Sequence, residues 1–289
     1  MTTSSDHESQ ASVENQVVEY AIGLIDKKSK GVPLPRAYPI TLNFHPDVIY
    51  RDQSVIANLR HEGIYHSQFD TGTSNGSLSG HKGGQRWNWE HKIFDGVYDT
   101  APTCLRPKYG ALNYLELPIG GALRFGSAHL RLKPALIDRC TFAYPDSHLD
   151  PVTFGTKKRM SLIPMVEANL SKLDVLDNYI EAHIHGTVVM NQHVDAIVLD
   201  PSFQGTSVES EANCLPFDLE WHEGFVLKAD KLEDCAAFRG QDVADFIQYA
   251  LVHESLTPAT LGRYRNGTVD VDVVKKAWHC LARYGSPSH

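Results

Sequence analysis

The chain has 289 residues, 42% of them hydrophobic, enough to bury one large core or a domain with an appended subdomain. Its 27 Lys and Arg stand against 35 Asp and Glu, a net charge of −8, so no cationic field is available to release counterions from a phosphate backbone, which sets nucleic acid aside as its main partner. The five cysteines, Cys104, Cys140, Cys214, Cys235 and Cys280, are dispersed and form no C-x-x-C pair, which reads as reduced thiols and a cytoplasmic site of folding.

Residues 1 to 12 read as a disordered polar tail with neither the basic start nor the apolar run of a secretory signal. No later apolar segment reaches membrane-spanning length, so no membrane partner is expected. An export signal of the bacterial effector kind, which would carry the protein into a host cytosol without cleavage, lies outside these rules. Residues 13 to 37 form an N-terminal unit. Val17, Ala21, Leu24 and Ile25 keep helical spacing, Glu14 and the pair Lys27 and Lys28 complement the helix dipole, and "KSKGVPLPRAYP" is a Pro-rich connector.

"ITLNF" (40 to 44) is the first strand, stopped by "HPD". "SVIANLRHEG" reads as a helix with Gly63 as its C-terminal stop. The stretch 70 to 86, "DTGTSNGSLSGHKGGQR", is turn-rich and polar, a composition more often functional than idle inside a domain. Further strands are expected at 109 to 117, 125 to 133, 140 to 144, 180 to 189 and 194 to 200, with "MVEANLSKLDVLDNY" as a helix between them. From 236 to 289 the pattern turns helical. Strands in the middle, helices at both ends and no βαβ alternation give an α+β fold, with the main domain at 38 to 235 and the helical part packed on it.

Three constellations could carry chemistry. "YIEAHIHG" sets Glu181, His183 and His185 on one face of a strand, since alternate residues share a face. That face reads as a metal site, as the glutamate of a group-transfer site, or as histidines hydrogen-bonded within a half-buried sheet. A metallohydrolase barrel starting there would have too few residues left, and a cupin-type roll would place the acid after the histidines. "GTSNG" (72 to 76) matches the nucleophile elbow G-x-S-x-G around Ser74, but no helix can start in "SLSGHKGG". Neither the dinucleotide fingerprint nor a P-loop occurs. The third reading holds NAD on a sheet by three devices: a polar or cationic group on an early strand ("NFHPD", Arg51 nearby), a hydroxyl on a middle strand ("RFGSAHLRLK", Ser127), and a glutamate on a late strand ("YIEAHIHG", Glu181).

The runs "QFDTGTSNGSLSGHKGGQRWNWEHKIFDGVYDTAP", "RPKYGALN", "RFGSAHLRLKP", "CTFAYPDS" and "YIEAHIHGTVV…VDAIVLDPSFQGT" resemble a family of bacterial proteins known as a domain of unknown function, over roughly residues 38 to 285. That family is in turn similar to the ADP-ribosyltransferase superfamily of the Arg-Ser-Glu type, and this chain looks like an effector-type member. The resemblance implies a split, strongly bent β-sheet pair with NAD in the cleft. It also implies transfer of ADP-ribose to a side chain, usually arginine, of a target protein, here a host protein. Glu181 matches the catalytic glutamate and Ser127 the serine that braces it. His45 is the preferred occupant of the first position, with Arg51, Arg106 and Arg124 as candidates for phosphate contact. Gln68, Thr71, Ser74 and Asn75, within or just before the Gly-rich stretch, are further candidates for binding the dinucleotide, backbone N–H groups of residues 72 to 84 could add to the phosphate contacts, and Tyr109 or a Trp of "RWNWE" could stack on a ring of the dinucleotide. No metal is expected. Tyr179, two before Glu181, departs from the acid or amide of the arginine-modifying pattern. NAD hydrolysis, with water as acceptor, would use the same residues, and a metal-dependent enzyme built on His183 and His185 is the contrasting class.

Overall fold

Residues Ile40–Phe44 alternate apolar and polar side chains, and every one of the five is buried, so the strand they form must be covered on both faces. The computed structural model describes residues 4–72, 78–170, 172–265, 267 and 269–287, with 4–11 as backbone only. Among them, eight strands join one sheet: β1 (Ile40–Phe44), β2 (Lys108–Leu112), β3 (Ala128–Leu132), β4 (Cys140–Tyr144), β5 (Thr153–Thr156), β6 (Glu181–Ile184), β7 (Val194–Leu199) and β8 (Asp218–Trp221). Their order is β8-β7-β3-β1-β2-β6-β4-β5, antiparallel throughout except for the parallel edge pair β7 and β8.

Register sorts the side chains into two faces. Opposed residues share a face, and the pairs Leu42↔Leu130, Leu130↔Ile197, Ile40↔Leu112, Gly110↔Ala182 and Phe142↔Ala182 define an apolar one. It packs into the main core with Leu136, Leu162, Met190 and Phe203. The pairs Asn43↔His129, Thr41↔Arg131, Tyr109↔His183 and Thr141↔His183 define the other face, which is largely polar. Helix α1 (Ser4–Lys28) and helix α3 (Gln85–Ile93) cover the β6-β4-β5 end of that face, burying Ala21, Ile25, Trp89, Phe94 and Tyr98 against Ala143 and Phe154. Helix α2 (Val55–Glu62) ends at the expected Gly63, at φ 66°, a left-handed position that suits glycine, and the structure adds a cap at its start, where Ser54 Oγ accepts from Ala57 N–H.

Helix α4 (Leu162–Ala168) precedes β6, and α5 (Leu232–Arg239), α6 (Gln241–Ala250) and α7 (Val271–Tyr284) form the expected helical C-terminal part. It has its own core, around Ile247, Trp278 and Leu281, into which Ile119 and Leu123 of the β2–β3 connection insert.

The mixed α and β architecture agrees with the sequence reading; four particulars differ. The sheet is one continuous ladder rather than a split pair, because β6 pairs with β2 on one side and β4 on the other. Helix α1 starts at Ser4, within the stretch read as a tail, where residues free of Gly and Pro permit a helix that apolar spacing does not announce. The helix expected through 165 to 179 stops at Ala168, beyond which the chain turns and sends Leu176 into the C-terminal core. Helix α3 is a fourth departure, since "QRWNWEHKI" directly follows the Gly-rich stretch and was not read as helical.

Candidate functional site

Strand period places Glu181, His183 and His185 on one side of β6, and all three are buried, Glu181 at 4% exposure. The two imidazoles are fully engaged within the protein. His183 Nε2 lies 3.0 Å from Glu181 Oε1 and its Nδ1 lies 3.0 Å from Thr141 Oγ1. His185 Nε2 is 2.9 Å from the same Thr141 oxygen and its Nδ1 is 2.6 Å from the Tyr98 hydroxyl. A metal at either histidine would have to displace one of these bonds. Among the described residues no group of three or more His, Cys, Asp or Glu is arranged to hold a metal ion.

Glu181 also reaches the floor of a cleft of about 390 Å³, within the size range of small-molecule sites. Its lining joins apolar side chains, among them Val48, Ile49, Val55, Leu59 and Ile64, with His45, Gln68, Thr71, Arg86, Tyr109 and Glu181. Five residues picked out from the sequence therefore share one cavity: His45, Gln68, Thr71, Tyr109 and Glu181. They arrive from β1's end, a short helical turn at Gln68–Thr71, β2 and β6, and β1, β2 and β6 are successive strands of the sheet.

The other candidates lie elsewhere. Ser127 precedes β3, which β1 and β2 separate from β6, so it cannot brace Glu181; its carbonyl accepts from His222 Nε2 at 2.8 Å. The brace is Ser147, whose hydroxyl donates to Glu181 Oε2 at 2.9 Å from the turn after β4. Arg106 is buried in an ion pair with Glu90 at 2.5 Å and stacks 3.8 Å from the Trp87 ring, away from the cleft wall. Arg124 pairs with Asp177. Arg51 is exposed, 3.6 Å from Glu62. Ser74 and Asn75 lie outside the described residues. Of the two tryptophans of "RWNWE", Trp87 meets Arg106 and Trp89 packs 5.1 Å from the His183 ring, both structural placements.

Arg86 is a cleft side chain that the sequence reading does not single out. Helix α3 carries it into the cleft, where Nη1 donates to Ser147 Oγ at 2.6 Å and the guanidinium sits 3.8 Å from the centre of the Tyr109 ring. The signal that could have found it is the helix itself: once "QRWNWEHKI" is helical, Arg86, Trp89, Glu90 and Ile93 fall on one buried face at spacings of three and four. Ser147 offers less, being one of several turn serines.

Burial pushes Glu181 toward the neutral form, but the His183 hydrogen bond, the Arg86 charge and the Ser147 hydroxyl outweigh it, and its acidity ends stronger than usual. Burial drives His45 well below the ordinary histidine range, with Arg265 and His279 adding to it, so its imidazole is neutral. Glu90, which accepts from Tyr109 Oη at 2.7 Å, is pushed up to about 7 by burial against the pull of Arg106 and Tyr109. Three buried nitrogens on residues that line the cleft, His45 Nδ1, Gln68 Nε2 and Arg86 Nε, have no hydrogen-bond partner among the described residues. Buried polar atoms are rarely left so, and in a concave site they suit a ligand rich in acceptors.

Fold and site together define a class: an α+β protein whose mainly antiparallel sheet bears a cleft lined by an ionised Glu181, Arg86 and a neutral His45, with Glu62, His66 and Lys108 also on its lining. The chain belongs to the family described as "Protein of unknown function (DUF3626)", whose model matches residues 39–171 and 159–284. No curated protein matches it.

Proposed function

We propose that this protein is an ADP-ribosyltransferase that takes NAD as co-substrate, with Glu181 as its catalytic carboxylate. When the bond between nicotinamide and ribose breaks, nicotinamide leaves neutral with the bonding electron pair, and positive charge builds on the ribose C1 until an acceptor bonds there and loses its proton. A carboxylate hydrogen-bonded to the ribose 2-hydroxyl binds more tightly as that charge grows, so it favours the transition state over the ground state. The observation that carries the reading is Glu181 itself: buried, held acidic by three neighbours, and at the floor of a ligand-sized cleft.

The neighbours support the same chemistry. The hydroxyl that braces the glutamate comes from Ser147 in the turn after β4, not from the strand of Ser127, and we assign the early polar group to His45, just past the end of β1. Arg86 offers a forked donor suited to a pyrophosphate, and the orphaned nitrogens of His45 and Gln68 suit its remaining acceptors. The apolar side chains of the lining, Val48, Ile49, Val55 and Leu59, suit a nucleobase face. The acceptor we propose is a side chain of a host protein, arginine by the family pattern, for a bacterial effector. Tyr179 weakens that last step and favours water as a second acceptor, because its hydroxyl is spent on Asp146 Oδ2 at 2.8 Å and supplies no charge for a guanidinium.

Labelled NAD incubated with cell lysate and the wild-type protein or Glu181→Ala is the test. A discrete labelled protein with the wild type alone is the expected result. Free ADP-ribose without labelled protein would replace transfer by hydrolysis, and intact NAD in both samples would overturn the proposal.

A further inference from the structure

The catalytic reading uses Glu181 but leaves unexplained why two histidines, a threonine and a tyrosine are buried behind it in one unbroken line. The line runs from Tyr98 Oη to His185 Nδ1 (2.6 Å), from His185 Nε2 to Thr141 Oγ1 (2.9 Å), from Thr141 Oγ1 to His183 Nδ1 (3.0 Å) and from His183 Nε2 to Glu181 Oε1 (3.0 Å). The other carboxylate oxygen is held by Ser147 (2.9 Å), which accepts from Arg86 (2.6 Å).

Proton counting gives this line a direction. An ionised carboxylate only accepts, so His183 Nε2 carries the hydrogen between them. In a neutral imidazole Nδ1 is then bare and must accept from the Thr141 hydroxyl. That hydroxyl has one hydrogen, so it can only accept from His185, whose Nε2 therefore carries a hydrogen and whose Nδ1 accepts from Tyr98. Every donor in the line is used once and each bond points toward Glu181. The opposite direction needs a cationic His183, and it would leave the Tyr98 hydroxyl hydrogen without an acceptor at a position 1% exposed.

We propose that Tyr98, His185, Thr141 and His183 are positioning residues forming a one-way hydrogen-bond chain, which fixes both histidines as neutral Nε2–H tautomers and holds Glu181 as a pure acceptor aimed at a ligand hydroxyl. The chain explains why both imidazoles are present at alternate positions: one threonine hydroxyl can serve two rings only if they stand side by side on the same face. Burial first, and then the positive charges of Arg139 and Lys108, oppose a proton on His185, and the rings of Trp89, Phe94 and Tyr109 enclose His183. A carboxylate so held cannot serve as a proton donor, which restricts Glu181 to accepting from a hydroxyl. The tautomer assignment stands without the transfer reading; the consequence for rate rests on it.

Nitrogen-15 spectra of the histidine rings at pH 7 test the chain directly. In the wild type, His183 and His185 should each show a protonated Nε2 and a bare Nδ1; a cationic His183, or a hydrogen on Nδ1 of either ring, overturns the proposal. Thr141→Val removes the shared hydroxyl, and both rings should then lose their single tautomer while Thr141→Ser keeps it. Tyr98→Phe, which retains the ring, should release His185 alone, and it tests the line if the threonine variant does not fold. Rings unchanged in both variants would sink the chain. With labelled NAD, Thr141→Val should lower kcat about ten-fold at nearly constant KM, and Thr141→Ser should restore it. If the wild type leaves NAD intact, the transfer reading fails while the spectra still decide the chain.

Discussion

Glu181 is buried at the cleft and held by its neighbours on β6 and in the turn after β4. Its carboxylate accepts from His183 and Ser147 and feels Arg86, so its ionised form survives a burial that would otherwise raise its pKa. Glu181→Gln keeps the shape and removes the charge that a developing cation needs. NAD cleavage should fall by about 10²- to 10³-fold, measured as nicotinamide release. Arg86→Ala should act differently, because Arg86 both faces the cleft and donates to Ser147: KM for NAD should rise and kcat should fall together. His45 was picked out from "NFHPD", and it does stand in the cleft; Ser127 was picked out with equal reason, and it does not. The difference is not in the residues. A strand pattern tells which face a side chain leaves by, but not which strand lies next door, and Ser127 is two strands too far away.

Among elements, α2 shows how local chemistry reaches the site. Val55, Asn58, Leu59 and Glu62 of this helix line the cleft, and its ends are held by Ser54 and Gly63. Ser54→Ala should cost about 1 kcal/mol, read by chemical denaturation, and should weaken ligand binding by loosening that wall. The Gly63 stop is legible in "SVIANLRHEG" because capping is decided within four residues. The β1 alternation was equally plain: Ile40, Leu42 and Phe44 go to the apolar core and Thr41 and Asn43 to the polar face. Asn43 then does something no local rule foretells, donating to Ile119 O at 3.1 Å and accepting from Ala122 N–H at 3.3 Å to pin the loop that carries Ala122 to the cleft. Helix α3 escaped the reading because its apolar residues are few and Arg86 and Glu90 occupy its buried face. Only partners contributed by Arg106, β2 and the turn after β4 make that face tolerable.

For the whole molecule, the C-terminal helices are part of the site's support. Trp278 of α7 packs edge-on against His45 at 4.7 Å, and Arg265 pairs with Asp47 at 3.1 Å, so both ends of "HPD" are held by residues more than 200 positions later. Trp278→Ala should destabilise the protein by roughly 3–5 kcal/mol, and the milder Trp278→Phe should retain the fold while weakening binding in the cleft. The polar face also sets a pH response. His129, on that face, is pushed down to about 3 by burial, with His222 and Arg131 adding to it. Between its unfolded value near 6.5 and about 3, the unfolded chain binds the proton and the folded one does not. Stability is therefore complete above about 6.5 and declines as pH falls, by about 2 kcal/mol at pH 5 from this group alone. Denaturant midpoints at pH 7 and pH 5 should show the decline, and His129→Asn should reduce it.

What the sequence determined by itself was everything with a short reach: the α+β composition, the capped helix at 55 to 62, and the shared face of Glu181, His183 and His185. Each depends on a period of 2 or 3.6 residues or on a cap. The tertiary structure alone decided that the strands close one ladder, that Ser147 rather than Ser127 braces Glu181, and that Arg86 enters the cleft. Those outcomes depend on strand order and helix docking, which are fixed by the burial of distant residues against one another and leave no periodic mark on the chain.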